Sequence, residues 1–391
     1  MLPMVTKSLL AISVVVVTTL SSARDISQLS SPAQRGTSAL AVSNSVQEPF
    51  VVTTLVSGLD TPWDLAWGPD GMLWVSERGG RISRVDPTTG MRTTAGSINV
   101  FQSGEGGLMG IAFHPDFSRE PVLFAMHTYS ANDGARNRLV RLRWNGRTLG
   151  APETLLDGIP GGGIHNGSRI AVGADRLLYI TTGDAGSADQ AQDRPSLGGK
   201  ILRLTLDGKP APGNPFNNAT WSYGHRNGQG LVFHPTTGAL YETEQGPSDN
   251  DEVNLIHRGG NYGWPTVHGA CDDDSGQERE FCRRNAVVEP LTTWTPTVAI
   301  CGADLYLSDR IRGWRGSLLA TSLRGSTLYR LSLSRDGTRI TGRETLLAGR
   351  FGRLRDVVVS PTGEVYVATS NRDGRGSPAR EDDRILRLTP R

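Results

Sequence analysis

A turn followed by a short apolar strand recurs six times along the chain. Each copy begins with polar turn residues and continues with a strand dominated by aliphatic and aromatic side chains. The copies are GPDGMLWVSE from residue 68, HPDFSREPVLFAMH from 114, VGADRLLYITTGD from 172, HPTTGALYETEQG from 234, GWRGSLLATSL from 313 and SPTGEVYVATS from 360. This spacing, roughly 40 to 80 residues, is typical of β-propeller blades with inserted loops.

Most copies lead into another strand in which apolar and polar residues alternate, which indicates a strand with one buried face. These alternating strands read RISRVDP, RLVRLRW, KILRLTL, TLYRLSL and RILRLTP, and the fourth copy has DEVNLIH in this place. We therefore predict an all-β protein, a six-bladed β-propeller.

The segment FVVTTLVSGL, residues 50–59, precedes the first copy. We expect it to pair with the last blade and close the ring, which removes exposed strand edges. The alternative is a pair of β-sandwich domains, but no Pro-rich or charged linker interrupts residues 48–391.

The first residues resemble a secretory signal. Lys7 precedes an apolar run from Leu9 to Leu20, and small residues follow it. We predict a signal peptide over residues 1–23, a disordered linker over 24–47 and the propeller domain over 48–391. The run is short for a membrane span, so we expect a periplasmic or secreted protein with no span in the mature chain; an uncleaved anchor is the alternative.

Charge argues against a nucleic-acid partner. The 41 basic and 39 acidic residues are interspersed and give a net charge of +2, whereas a nucleic-acid binder has a concentrated basic face. The 48 glycines and 22 prolines favour many short strands joined by tight turns.

The chain has three cysteines. In an oxidising compartment Cys271 and Cys282 can close a loop and leave Cys301 free, but the sequence does not establish this pairing. The sequence has no CxxC motif, so we do not expect a zinc site.

One of only seven histidines lies in GGGIHNGSRI, residues 161–170, between a glycine run and a predicted strand. His165 is a candidate base there, and Asp184, at the end of the strand LLYITTGD, is a candidate partner that would fix its tautomer. The alternative is that both are plain turn residues.

The loop YGHRNGQGLVFHP, residues 223–235, packs polar side chains between glycines. Arg226 offers a fork of donors for a carboxylate or a developing oxyanion, and Asn227 adds a neutral donor and acceptor. A surface salt bridge is the alternative for Arg226.

An acidic loop follows in ETEQGPSDNDEVNLIHRGGNYGWP, residues 242–265. Carboxylates of Asp251 or Glu252, with backbone carbonyls at Gly246 and Pro247, are the oxygen donors that calcium prefers. The spacing is not that of an EF-hand, and a solvated acidic loop is the alternative.

In FGRLRDVVVSPTG, residues 351–363, Arg353 and Arg355 are two positions apart, so both point to one face of an extended segment. With Arg226 and Arg324, if the loops converge, they predict a pocket for a polycarboxylate or phosphorylated ligand.

Taken together, these segments resemble the soluble quinoprotein glucose dehydrogenase and aldose sugar dehydrogenase family. The resemblance covers about residues 50–389, and its motifs are GEGGLMGIAFHPDF, GGGIHNGSRI, TTGD, LGGKILRL, YGHRNGQGL, EQGPSDNDEVNLI, GGNYGWP and GRLRDV. It implies a six-bladed propeller that uses pyrroloquinoline quinone (PQQ) and calcium.

The resemblance also implies roles for the site residues. His165 matches the general base and Asp184 its orienting partner. Gly246 and Pro247 match carbonyl ligands of a catalytic calcium. The remaining matches are Arg226 and Asn227 at the quinone oxygens, Thr297, Arg353 and Arg355 at the cofactor carboxylates, and Glu252 and Tyr262 at a second, structural calcium.

Two positions depart from the glucose dehydrogenases. Glu105 stands where they carry a glutamine near the substrate, which puts glucose preference in doubt, and Arg324 replaces a lysine against the cofactor and keeps its charge. Several long loops are also absent, as in the aldose sugar dehydrogenase branch.

We therefore expect an oxidoreductase that converts an aldose to its lactone and passes electrons to an external acceptor. A non-catalytic binding propeller and a calcium-dependent lactone hydrolase are the alternatives.

Overall fold

The repeated apolar segments form the second strands of six four-stranded antiparallel sheets. The computed structural model describes residues 48–272 and 276–391, and these residues belong to one compact unit. The predicted signal peptide (1–23) and linker (24–47) lie outside the described residues. The six-bladed β-propeller predicted from the repeats is thus confirmed.

Each sheet is one blade, numbered here along the chain. Blade 1 contains β2 to β5: Pro62–Trp67, Leu73–Glu77, Arg81–Val85 and Arg92–Ser97. Blade 2 contains β6 to β9: Leu108–Phe113, Val122–Ala131, Gly134–Arg143 and Glu153–Pro160. Blade 3 contains β10 to β13: Gly167–Val172, Leu178–Thr182, Lys200–Leu204 and Thr220–Tyr223. Blade 4 contains β14 to β17: Gly228–Phe233, Leu240–Glu244, Asp251–Leu255 and Thr292–Trp294. Blade 5 contains β18 to β21: Ile300–Tyr306, Ser317–Ser322, Thr327–Leu333 and Ile340–Leu346. Blade 6 contains β22 to β24 and β1: Leu354–Val359, Val365–Thr369, Ile385–Pro390 and Phe50–Val56.

Two helical segments occur among the described residues, both in loops. A 3-10 turn, Ala188–Ala191, lies in blade 3, and the helix α1, Gln277–Asn285, lies between β16 and β17. No helix in the described part of the chain has the length and apolar content needed to cross a membrane.

The core lies between neighbouring blades. The second strands β3, β11, β15 and β23 are buried at every position, because each is covered by a blade on both faces. At the boundary of blades 1 and 2, the ring of Trp74 packs edge-on against Phe113 and Trp144, at centroid distances of 5.4 and 5.0 Å. Burial of these large apolar side chains is what holds adjacent blades together.

The amino-terminal strand closes the ring, as the sequence predicts. Strand β1 pairs antiparallel with β24, with Phe50 opposite Pro390 and Thr54 opposite Leu386. Phe50 is buried and contacts Trp314 of blade 5, with 5.2 Å between ring centroids. Blade 6 is therefore built from both ends of the described chain.

The first strands of the blades pack against one another in sequence around the central axis. Buried ion pairs fill part of this axis: one guanidinium nitrogen of Arg169 contacts carboxylate oxygens of both Asp64 and Asp356. The same carboxylates accept backbone N–H groups of Leu65 and Ile111, at 2.7 Å each. These bonds tie the inner strands of different blades together.

Cys271 and Cys282 form a disulfide at the insertion before β17, and Cys301 is a buried free thiol. The pairing that the sequence left open is thus the local one.

Candidate functional site

Polar side chains from all six blades converge on one end of the axis. In an antiparallel blade the start of the first strand and the end of the second strand lie at the same edge. His165 comes shortly before β10, and Asp184 follows β11. Residues that are far apart in sequence therefore face a common opening.

Two adjoining cavities occupy this end. The larger, which we call the mouth cavity, has a volume of about 380 Å³. It is lined by Glu105, Ile164, His165, Arg226, Gln245, Gly246, Pro247, Asp251, Thr297, Ala299, Arg324, Arg353 and Arg375. The second, the inner cavity, has about 250 Å³, shares Glu105, Gln245, Ala299, Arg353 and Arg375 with it, and adds Arg78, Gln229, Arg355 and Asp373. Most of the residues singled out from the sequence thus lie around one space.

His165 and Asp184 form a hydrogen-bonded pair, with 2.7 Å between Nδ1 and Oδ1. The same Oδ1 accepts the N–H of Gly186 at 2.7 Å, and Oδ2 accepts the indole N–H of Trp264 at 2.9 Å. Burial raises the pKa of Asp184, but these hydrogen bonds outweigh burial and hold its pKa below the ordinary value. An ionised Asp184 accepts the hydrogen bond of the His165 Nδ1–H, which leaves Nε2 free to accept a proton.

The backbone of His165 is held in an unusual conformation. Its φ is +53°, in the left-handed region, which is uncommon for a residue with a side chain. Its N–H donates to Glu105 Oε2 at 3.2 Å, and its carbonyl accepts the N–H of Ala185 at 3.1 Å. A Cβ on Gly183 would lie 1.8 Å from that carbonyl oxygen, so only glycine fits there.

Arg226 is held by a backbone carbonyl and by an aromatic ring. Its NH1 donates to the carbonyl of Gln245 at 2.8 Å, and its guanidinium carbon is 5.3 Å from the centre of the Trp264 ring. Its buried Nε has no hydrogen-bond partner among the described residues. Burial lowers the pKa of Arg226 from its ordinary value, which still leaves it a cation at neutral pH. Arg226 therefore has an N–H group beside the mouth cavity that can donate a hydrogen bond to a ligand.

Asn227 lies behind the cavity wall and is fully buried. Its Oδ1 accepts the N–H of Gly167 at 3.1 Å and the amide of Gln229 at 3.0 Å, and its Nδ2 donates to Gln245 at 3.3 Å. Asn227 thus lines neither cavity and instead supports Gln229 and Gln245, two side chains that do.

The two arginines predicted to share a face both line the inner cavity. Arg353 Nε donates to Asp373 Oδ2 at 2.7 Å, and Arg355 NH1 donates to Gln229 Oε1 at 3.0 Å. Within the described part of the chain, the buried Nε of Arg355 has no partner. Around both cavities, six arginines (Arg78, Arg226, Arg324, Arg353, Arg355 and Arg375) face three acids (Glu105, Asp251 and Asp373). This surplus favours an anionic ligand.

Thr297 and Glu105 each hold one of these arginines. Arg324 NH1 donates to Thr297 Oγ1 at 3.4 Å, and Arg375 NH1 pairs with Glu105 Oε1 at 3.1 Å. The second pair connects the loop before blade 2 to the loop after β23, across the opening.

The acidic loop predicted for calcium runs along one side of the mouth cavity. Asp251 Oδ1 accepts the N–H of Gly246 at 2.9 Å, and its Oδ2 accepts those of Val298 and Ile300 at 2.8 and 2.9 Å. Burial raises the pKa of Asp251. Asp251 therefore fixes the turn that presents Gly246 and Pro247, where a Cβ on Gly246 would lie 2.1 Å from the Asp249 carbonyl.

A small cavity of about 10 Å³ lies beneath this turn, lined in part by Glu244, Gly246, Pro247, Glu252 and Tyr262. Such a volume has room for one ion or water molecule. Glu252 accepts the N–H of Gly269 at 2.9 Å, and burial together with the charge of Glu244 raises its pKa to about 8. The hydroxyl of Tyr262 donates to the carbonyl of Leu255 at 2.7 Å and accepts the N–H of His257 at 2.8 Å, so both bonds hold it within the protein.

His225 lies deeper and away from the mouth cavity, between two glutamates. Its Nδ1 is 2.9 Å from Glu244 Oε2 and 3.2 Å from Glu242 Oε2. Burial lowers the pKa of His225, but the two carboxylates outweigh it and raise the pKa to about 10. A protonated His225 thus neutralises part of this buried acidic cluster, which gives this histidine of the loop 223–235 a structural role.

Four residues at the site were not predicted from the sequence: Arg78, Trp264, Asp373 and Arg375. Arg78, Asp373 and Arg375 follow the second strands of blades 1 and 6, and the rule that this edge faces the opening would have found them. Trp264 belongs to the NYGW turn, and nothing in its local pattern predicts its partner.

Comparisons with known proteins bear on the family and the fold of this chain. A family model described as Glucose / Sorbosone dehydrogenase matches residues 59–386. Quinoprotein glucose dehydrogenase B of Acinetobacter calcoaceticus is 32% identical, over an alignment that covers 86% of this chain and 88% of the relative.

Two solved structures are similar over nearly their whole length. The PQQ-bound form of aldose sugar dehydrogenase from Streptomyces coelicolor is 40% identical, with a TM-score of 0.76, over 87% of this chain and 98% of that one. A putative oxidoreductase (glucose dehydrogenase) from Thermus thermophilus is 44% identical, with a TM-score of 0.77, over 87% and 99% of the two chains.

Proposed function

Since this chain belongs to the glucose/sorbosone dehydrogenase family, we propose that it oxidises the anomeric carbon of aldoses to the lactone with PQQ and calcium. That the chain is a sugar dehydrogenase of the PQQ type follows from the family and from relatives along most of the chain. Oxidation at the anomeric carbon is supported by the His165–Asp184 pair, with 2.7 Å between Nδ1 and Oδ1, at the edge of a cavity rich in arginine.

The residues around the cavities suit PQQ, which is a planar polycarboxylate. Arg353 and Arg355 line the inner cavity, and Thr297 and Arg324 line the mouth cavity. The buried Nε donors of Arg226 and Arg355 have no partner among the described residues, and a buried donor left unpaired is costly. Cofactor carboxylates and quinone oxygens would supply the missing acceptors.

The donor set beside the mouth cavity suits calcium. It combines backbone carbonyls at Gly246 and Pro247 with the carboxylate of Glu252, which lines the small cavity beneath their turn, and all of these are hard oxygen ligands. We propose that Gly246 and Pro247 would hold one calcium ion, that Asp251 shapes their turn, and that Glu252 with the carbonyl of Tyr262 would hold a second ion.

In the proposed reaction His165 Nε2 takes the proton from the anomeric hydroxyl of the sugar. Asp184 keeps the Nδ1 proton in place and stabilises the imidazolium that forms. When bound, PQQ would supply the quinone that accepts the hydride of the anomeric carbon, and calcium would supply a Lewis acid. Arg226 stabilises negative charge that develops on the cofactor side of the cavity.

The test is reconstitution of the full-length protein. PQQ and Ca²⁺ are added to metal-free protein, dye reduction is followed with a panel of aldoses, and NMR identifies the sugar product. The proposal expects dye reduction only when both PQQ and Ca²⁺ are present, with the lactone as product. PQQ binding without turnover on any aldose would contradict the substrate class, and no PQQ binding would leave a propeller that binds another anion.

Export to the periplasm or the outside, and transfer of electrons to an external acceptor, complete the proposal. The apolar run before residue 23 supports export. Cell fractionation of the full chain, with and without residues 1–23, tests it.

A further inference from the structure

Trp264 contacts both Asp184, the proposed partner of the base, and Arg226. Its indole N–H donates to Asp184 Oδ2 at 2.9 Å, while Oδ1 of the same carboxylate faces Nδ1 of His165 at 2.7 Å. The carboxylate therefore has one oxygen held by the indole and the other directed at the base. Without the indole donor, Oδ2 would lose its only side-chain hydrogen bond in the described structure.

The ring of the same residue supports Arg226. The guanidinium carbon of Arg226 is 5.3 Å from the ring centre, within the range of a cation–π contact. His268 stacks on the Trp264 ring, with 5.1 Å between centroids and 28° between planes. The rings of Trp264 and His268 and the guanidinium of Arg226 are thus packed together beside the mouth cavity.

The backbone of Trp264 is anchored to blade 3. Its N–H donates to the carbonyl of Gly224 at 3.0 Å, and its carbonyl accepts the side-chain amide of Gln192 at 2.7 Å. The amide of Gln192 also donates to Asn261 at 2.9 Å, which holds the same turn. The backbone that carries the indole is therefore tied to blade 3, the blade that also carries Asp184.

We propose that Trp264 is a positioning residue that sets the base and the cationic side of the site in one geometry. Its N–H fixes the Asp184 carboxylate toward His165, and its ring fixes the guanidinium of Arg226. The expected effect on turnover rests on the proposed function. The effect on the His165–Asp184 pair does not depend on it.

Two substitutions separate the roles of the donor and the ring. Trp264→Phe keeps a ring beside Arg226 and removes the N–H. We expect kcat to fall about tenfold, since small misalignments of a catalytic group reduce rate strongly, while KM for the sugar and the Kd for PQQ stay within about twofold. Trp264→Leu removes both contacts, and we expect the Kd for PQQ to rise about tenfold as well.

A readout that does not need the cofactor completes the test. In the PQQ-free protein, ¹⁵N NMR of His165, assigned with His165→Gln, reports the population of the Nδ1–H tautomer. We expect this population to fall in Trp264→Phe and the melting temperature to stay close to that of the wild type. A wild-type tautomer population together with a wild-type kcat in Trp264→Phe would overturn the proposal. Equal losses of PQQ affinity in both variants would also overturn it, because they would show that Trp264 only maintains the fold.

Trp221→Phe is the matched control. Like Trp264, Trp221 makes a cation–π contact, with 5.0 Å between the guanidinium carbon of Arg203 and its ring centre, and it packs edge-on against Tyr179. Unlike Trp264, it lies on the outer strand β13. We expect it to leave the His165 tautomer, kcat and PQQ affinity unchanged. If the wild type neither binds PQQ nor oxidises a sugar, the proposed function fails, while the tautomer measurement still decides whether Trp264 positions Asp184.

Discussion

At the level of single residues, the hydrogen bonds to Asp184 distinguish it from an ordinary turn aspartate. It accepts from His165, from the backbone of Gly186 and from Trp264, and it is almost fully buried. A buried carboxylate with this set of donors stays ionised and fixes the tautomer of the histidine beside it.

Asp184→Asn tests this arrangement. The amide is similar in shape, but it cannot stabilise an imidazolium and favours the wrong tautomer of His165. We expect kcat to fall by about 10² to 10⁴-fold, with the Kd for PQQ unchanged. Steady-state kinetics and a PQQ titration measure both quantities, and a kcat near the wild-type value would show that Asp184 only forms a turn.

The candidate residues could be found from the sequence where a motif contained them, as for His165, Arg226 and Arg353. Trp264 could not, because its partner Asp184 is far away in the chain, and the pairing of Arg375 with Glu105 is also long-range. Contacts of this kind depend on how the blades close into a ring, and local residue patterns contain no information on them.

At the level of elements, the turn between β11 and the loop that carries Asp184 determines where His165 lies. Gly183 packs directly against the His165 carbonyl, and the base has its positive φ at this point. The position of the candidate base is therefore set by the close approach of two loop segments of blade 3.

Gly183→Ala should displace His165, because the new Cβ would lie 1.8 Å from its carbonyl oxygen. We expect kcat to fall more than about tenfold, with a lower melting temperature. Gly150→Ala is the control, since its Cβ would meet its nearest atom, the Arg143 carbonyl, at 3.6 Å. Wild-type activity in Gly183→Ala would mean that the loop tolerates a shift of the base.

Glu77, at the end of β3, holds the loop that carries Arg78. Burial raises the pKa of Glu77, but hydrogen bonds from Arg81, Ser83 and the N–H of Asp60 outweigh it and lower the pKa. The folded state therefore binds the proton less readily than the unfolded chain. The resulting stability is present at neutral pH and is lost as the pH falls through the folded pKa.

Glu77→Gln should therefore destabilise the protein at pH 7 and lose this effect in acid. Urea unfolding of both proteins between about pH 3 and pH 7 measures the difference in free energy, which we expect to shrink as the pH falls. Glu344→Gln removes the half-exposed partner of Arg330 and should change stability little at any pH. A Glu77→Gln difference that is independent of pH would contradict the ionic explanation.

At the level of the whole molecule, ring closure is what brings the six loops together. Strand β1 supplies the fourth strand of blade 6, and blade 6 also carries Arg353 and Arg355. The integrity of the cofactor end of the site is thus coupled to a strand that is distant from it in sequence.

Phe50→Ala should weaken this closure. Phe50 is 1% exposed and packs on Trp314, and loss of a buried phenylalanine costs about 3 to 5 kcal/mol. Chemical denaturation measures the loss, and Val51→Ala, at a position that is 39% exposed, is expected to be nearly neutral. Equal stabilities of the two variants would argue that β1 is dispensable for the ring.

The architecture is the level that the sequence predicts best. Each repeat places an apolar second strand before an alternating third strand, and this pattern alone predicts six blades and the closing role of residues 50–59. The polar axis was not predictable: Arg169 lies in an ordinary strand pattern, yet it pairs with Asp64 of blade 1 and Asp356 of blade 6. Its partners are defined only once the ring is closed.

The most direct test of the proposed mechanism compares wild type with His165→Gln, both loaded with PQQ and Ca²⁺. Dye reduction by an aldose gives kcat, and a PQQ titration gives the affinity of each protein. We predict that His165→Gln binds PQQ as tightly as the wild type and turns over about 10² to 10⁴-fold more slowly. Wild-type turnover in His165→Gln would show that another group takes the proton and that the central assignment is wrong.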